Sequence, residues 1–138
     1  MVDSARHFLP VDVLKQTLDG MAASGLNVFH WHLTDAQSWP WDTPSRPKLV
    51  RGAYRPDLVY TSQDLEDVAT YRAAWILLNI GRGLLDARRG PMPEMSRFRY
   101  AADRAIEVIP EIDMPGHAGS IAVGYPEAVV PYATVSET

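Results

Sequence analysis

The sequence predicts an α/β fold with parallel strands, and three observations carry that expectation. Leu26–Leu33 and Ile106–Asp113 are stretches rich in β-formers with period-two sides, which is the pattern of strands. Between Met1–Ser4, which reads as a strand end, and Leu26, apolar residues at Val11, Leu14, Leu18, Met21 and Ala22 recur at three and four and define one helical face. The links are short, and strand–helix–strand with short links is a βαβ unit whose crossover makes its strands parallel.

The elements follow in order. Pro10-Val11-Asp12 opens the first helix, and Gly25 supplies a left-handed stop after it. Residues 34–60 form a loop rich in Pro, Trp and Ser, too long for an idle connection and so a candidate functional loop. Thr61 and Asp64 have capping-box spacing, with Asp where Glu is usual, and start a helix through Leu65 and Val68. Arg99–Ala105 is helical in composition and feeds the third strand, which ends at the loop Met114-Pro115-Gly116-His117. Polar residues gather just past each strand, as on the catalytic rim of a (β/α)8 barrel. The fold class is therefore α/β, a partial TIM barrel comprising its first three βα units.

Composition removes several classes of function. With 46% hydrophobic and 22% charged residues in 138, the chain is globular in character. A net charge of -4 gives no reason to expect nucleic acid or an anionic membrane as partner. No run of eighteen apolar residues occurs, so no membrane-spanning helix is expected. Without cysteine there is neither disulfide nor thiol catalysis. The first residues lack a basic segment followed by an apolar one, so no secretory leader is read there and no compartment is assigned.

Three segments could carry chemistry. Arg6, just past a strand, presents a planar fork of donors suited to sugar hydroxyls or a carboxylate, although from that segment alone a rim ion pair with Asp3 is the favoured reading. His30 and His32 share one side of their strand, with Asp35 at its exit. They read as a metal site or as a hydrogen-bonded polar layer, the layer being favoured because no His-rich segment supplies further ligands. Glu111 and Asp113 are two apart on a strand, about 6.5 Å, which matches neither geometry of a paired-carboxylate glycosidase. Structural roles are the simpler reading for them. His117, at a loop tip, is better placed to hydrogen-bond a catalytic carboxyl and tune it.

Taken together, the blocks DSARHFLP (3–10), NVFHWHLTDAQSWP (27–40), PKLVRGAY (47–54), Tyr60-Thr61 and IPEIDMPGH (109–117) resemble glycoside hydrolase family 20, the β-N-acetylhexosaminidases. Order and spacing agree outside residues 70–98. The resemblance implies that Arg6 holds hydroxyls of the terminal sugar, and that Asp35 and His117 form a relay to the general acid. It implies substrate-assisted chemistry, in which the 2-acetamido carbonyl attacks the anomeric carbon while an Asp-Glu pair orients it and protonates the leaving oxygen. It also implies no metal or cofactor, glycans ending in N-acetylglucosamine or N-acetylgalactosamine as partners, secreted or lysosomal placement and an often dimeric full-length protein.

Two departures stand out. No Asp-Glu dipeptide occurs in residues 1–138, so the chain reads as a fragment of the catalytic barrel, inactive by itself. Residues 70–98 interrupt the match, and deleting them would join 65–69 to 99–105 as one amphipathic helix. The span therefore reads as an insertion or a gene-model artefact. Two other classes remain: a metal-dependent barrel hydrolase built on His30 and His32, which chelators would inactivate, and a carbohydrate-binding remnant, which would bind sugar without turnover.

Overall fold

The computed structural model describes residues 1–69 and 100–130. Three parallel strands, β1 (Val2–Asp3), β2 (Val28–Thr34) and β3 (Glu107–Ile112), form one sheet in the order β1-β2-β3. Helix α1 (Val11–Ala23) joins the first two, α2 (Ser62–Val68) follows the long loop, and α3 (Gly119–Gly124) follows β3. No helix among the described residues is long and apolar enough to cross a membrane. Residues 70–98 lie outside the described residues, as does Arg99.

Period two on β2 sorts its side chains. Phe29, Trp31 and Leu33 enter a buried core with Leu14 and Leu18 of α1, Leu65 and Val68 of α2, Tyr60, Ile106 and Val108. Burying each of these leucines contributes about 1.5–3 kcal/mol, and this burial fixes α1 against the sheet. His30, His32 and Thr34 take the opposite face. In the parallel register His32 pairs with Asp3 on one side and Glu111 on the other, so three ionisable residues meet across neighbouring strands.

The end of α1 follows from Gly25. At φ 72° it lets its own amide bond the Ala22 carbonyl at 3.2 Å and the Leu26 amide bond the Met21 carbonyl at 2.9 Å, a Schellman closure. Ala22, grouped by spacing with the buried face, is exposed, because the buried stripe ends in the preceding turn. Thr61 and Asp64 make the expected reciprocal capping box. Helical structure before β3 is shorter than the sequence suggests. Ala102–Arg104 is a 3-10 turn, and Ala105 at φ 53° ends it. Arg104 and Tyr100 hold that turn to Asp19 of α1, at 2.6 and 2.9 Å.

The loop 34–60 is built, not idle. Trp39 and Trp41 stack at 6.2 Å, Trp39 Nε1 donates to Thr43 Oγ1, and Trp41 bridges to Tyr60. Tyr60 stacks on Phe8, meets Trp31 edge-on, and donates its hydroxyl to the Leu9 carbonyl at 2.5 Å. Burial pushes that phenol up to about 12. The loop after β1 and the loop after β2 are thereby fastened to one core.

Candidate active site

The polar residues past the three strands converge on Asp35. Its carboxylate is fully buried, at 0% side-chain exposure, yet four donors reach it. Arg6 Nη2 and His32 Nε2 approach Oδ2 at 2.6 and 3.0 Å, while the Ala36 amide and His117 Nδ1 approach Oδ1 at 2.5 and 3.3 Å. Its main chain is fixed as well, because Asp35 and Ser38 bridge through their backbones and Ser120 Oγ donates to the Asp35 carbonyl at 2.6 Å. Burial works against its ionisation, but donors from His32, Ala36 and His117 and the charge of Arg6 outweigh that and hold its pKa below the usual value.

Each partner is placed by its own element. Arg6 sits past β1, where the Asp3 carboxylate accepts from the amides of Ala5 and Arg6 and from the guanidinium at 2.7 Å. The pair with Asp3 expected from the segment alone is therefore present, and the same guanidinium also grips Asp35. His117 follows the cis Met114–Pro115 bond and stands at φ 53°, a left-handed conformation uncommon for a residue with a β-carbon. With 59% of its side chain exposed, it faces Asp35 on one side and solvent on the other. Arg6 is likewise open to solvent, at 45%. Asp35 is thus a buried anchor beneath two accessible donors.

Behind Asp35 the sequence expectation of a hydrogen-bonded polar layer takes a specific form. His32 Nδ1 lies 3.2 Å from Glu111 Oε1, and His30 Nε2 contacts the other oxygen of Glu111. Burial disfavours a charged His32, yet its bonds to Asp35 and Glu111 prevail and raise its pKa. Glu111, resisted by burial but served by both histidines, is lowered. His32 and Glu111 therefore belong to the site. Period two placed the two histidines on one face, but the register that brings Glu111 to them is set by tertiary pairing and cannot be read along the chain.

Metal coordination has one geometric candidate among the described residues. Single ligand atoms of His32, Asp35 and Asp113 lie within 4.8 Å of one another. His30 is not in that set. Both His32 nitrogens and both Asp35 oxygens are already bonded within the protein, so the donor set suits a closed hydrogen-bond network better than an ion.

A buried carboxylate gripping an arginine and a loop-tip histidine lies at the carboxyl ends of parallel β/α strands, the face on which (β/α)8 barrels carry their active sites. The description "Glycosyl hydrolase family 20, catalytic domain" matches residues 1–77 and 95–138, and the chain belongs to that family. Beta-hexosaminidase 1 of Arabidopsis thaliana is 35% identical over 127 residues, 92% of this chain and 18% of that protein. A chitooligosaccharidolytic beta-N-acetylglucosaminidase of Bombyx mori is 37% identical over 86% of this chain and 15% of its own. Among solved structures, Flavobacterium johnsoniae chitobiase superposes with a TM-score of 0.66 at 37% identity, over 92% of this chain and 15% of that one. The β-N-acetylhexosaminidase of Streptomyces coelicolor A3(2) does so at 0.66 and 31%, over 94% and 22%. The chain thus spans about a fifth of the length of the relatives it matches, and its three parallel strands are part of a TIM barrel.

Proposed function

We propose that the whole protein is a β-N-acetylhexosaminidase acting on glycans with terminal N-acetylglucosamine or N-acetylgalactosamine, and that this chain supplies part of its glycone site. The carrying observation is the convergence of Arg6, Asp35 and His117 in a chain of this family. Arg6, half exposed and anchored by two carboxylates, holds hydroxyls of the terminal sugar. Asp35 fixes His117, whose other ring nitrogen serves the carboxyl group of the general acid.

In the reaction the 2-acetamido oxygen bonds to the anomeric carbon as the bond to the leaving oxygen breaks. That oxygen takes the proton of the general acid, and water then opens the cyclic intermediate with retention. The Asp-Glu pair for orienting the acetamido group and donating that proton does not occur in residues 1–138. A polypeptide of these residues alone is therefore expected to be inactive, since loss of a general acid lowers rate by about 10²–10⁴-fold.

Residues 70–98 are proposed to be an insertion or a gene-model artefact in the catalytic domain. The break in the family match between residues 77 and 95 falls inside this span and supports the reading. Finding the segment in mature transcript would exclude the artefact.

The decisive assay is hydrolysis of chromogenic N-acetyl-β-glucosaminide and N-acetyl-β-galactosaminide. The full-length protein is expected to turn over at least one of them, with no loss to chelators, and the 138-residue polypeptide neither. A full-length protein inert on both substrates, or one silenced by chelation, would overturn the assignment.

A further inference from the structure

His32 lies one layer behind Asp35, and the scheme above gives it no task. It is buried, and both ring nitrogens face carboxylate oxygens, Asp35 Oδ2 at 3.0 Å and Glu111 Oε1 at 3.2 Å. A neutral imidazole carries one N–H and one lone pair, so it would satisfy one carboxylate and turn a lone pair on the other. Only the doubly protonated ring donates to both.

The surrounding charges favour that form. Asp3 of β1, Glu111 of β3, Asp35 at the end of β2 and Asp113 past β3 are the acidic groups around the ring. The basic groups are Arg6, spent on Asp3 and Asp35, His30, which faces Glu111, and His117, which faces Asp35.

We propose that His32 is a positioning residue, an imidazolium through neutral pH that clamps Asp35 by Oδ2 and so leaves Oδ1 to orient His117. Its task rests on the hexosaminidase reading of the relay, whereas its charge does not. With His32 and Arg6 both on Oδ2, Asp35 stays a carboxylate of fixed orientation, and His117 keeps one acceptor in one place. Loss of one His32 proton leaves a single N–H for Asp35 and Glu111 to compete for; whenever Glu111 holds it, Arg6 alone remains on Oδ2 and the relay geometry loosens. Glu111 thereby acts at a distance, as the second carboxylate that keeps His32 charged.

The test is a pH titration of the histidine ring nitrogens by NMR in the full-length protein, alongside the pH profile of kcat. The expected result is a His32 ring with both nitrogens protonated at pH 7. In Glu111→Gln the titration of His32 should move to lower pH by about one unit, the size of one removed neighbouring charge. The alkaline decline of kcat should move with it while KM stays nearly constant, because the role proposed for both residues is to orient Asp35 and not to bind the sugar.

A ring carrying a single proton at pH 7 would overturn the proposal, and so would a titration or kcat limb indifferent to Glu111→Gln. The wild-type titration needs no variant, so it decides the charge even if Glu111→Gln fails to fold. A protein with the imidazolium but without hexosaminidase activity would refute the positioning role and the functional reading together, leaving the charge assignment standing.

Discussion

Replacing Asp35 with Asn separates shape from charge at the centre of the site. The amide has one acceptor oxygen where the carboxylate has two, and the other position becomes an NH2. Four donors converge there, at 2.6 Å from Arg6, 3.0 Å from His32, 2.5 Å from the Ala36 amide and 3.3 Å from His117. Arg6 and His117 are open to solvent, where such contacts are screened and contribute little. The buried donors, His32 and the Ala36 amide, decide the outcome. In either flip of the side chain one of them meets an NH2, and the other keeps only a neutral acceptor. An orphaned buried donor costs about 1–3 kcal/mol, and a lost charge–charge component adds to it, so the expected destabilisation is about 2–4 kcal/mol. Urea unfolding of the full-length protein at pH 6, read as a midpoint shift at unchanged slope, measures this. The gap should narrow in acid, where the native Asp35 itself becomes protonated. A loss below about 1 kcal/mol would mean that the four donors do not depend on a carboxylate.

Further predictions concern pH, packing and capping. Asp35 and Glu111 have lowered pKa values in the fold, so their stabilisation is present above pH about 4–4.5 and lost as pH falls further. His32 has a raised one, so its contribution is complete below pH about 6.5 and lost as pH rises through its folded value. Thermal unfolding should therefore occur at a lower temperature at pH 8.5 than at pH 5.5, and a flat profile between them would contradict the assignment. Gly124→Ala places a β-carbon 2.2 Å from the Lys48 carbonyl oxygen, a backbone atom with nowhere to go, and should cost towards the upper end of about 1–3 kcal/mol. Gly20→Ala, exposed on α1 with nothing within 4 Å, should instead stabilise by about 0.5–1 kcal/mol, so denaturant midpoints of opposite sign are expected. Thr61→Ala removes the capping box of α2 and should lower unfolding free energy by about 1 kcal/mol, while Thr61→Ser should lower it far less.

Local physics explains what could be read along the chain. The stripe Val11, Leu14, Leu18 and Met21 marked α1, Gly25 marked its left-handed closure, and Thr61 with Asp64 marked the start of α2. The three parallel strands followed from alternation and short links. Arg6, Asp35 and His117 were each read from a position just past a strand, and the fold brings the arginine and the histidine to the Asp35 carboxylate. The layer behind them needed more than spacing. Glu111 reaches His32 because β2 and β3 pair in one register, which sets together two residues 79 apart in sequence and which neither strand carries alone. The loop from Thr34 to Tyr60 was recognisable as too long to be idle. Its 3-10 turn at Leu49–Gly52 and its bridge from Trp41 to Tyr60 depend on contacts with other elements, as does the short α3. Helical composition before β3 overstated what forms, because Ala105 turns left-handed to aim the chain into the strand.

The close approaches of Gly52 and Gly119 bear on how this site can be engineered. A β-carbon at Gly52 would fall 2.4 Å from the Ser120 carbonyl oxygen, and one at Gly119 would lie 3.4 Å from Ala36. Ser120 in turn holds the main chain of Asp35. The loop after β2 and the helix after β3 are therefore a matched cassette. Exchanging one without the other between related proteins would displace Asp35 by steric mismatch. Chimaeras that carry residues 34–60 and 113–128 together should retain the site, whereas single-loop grafts should lose it.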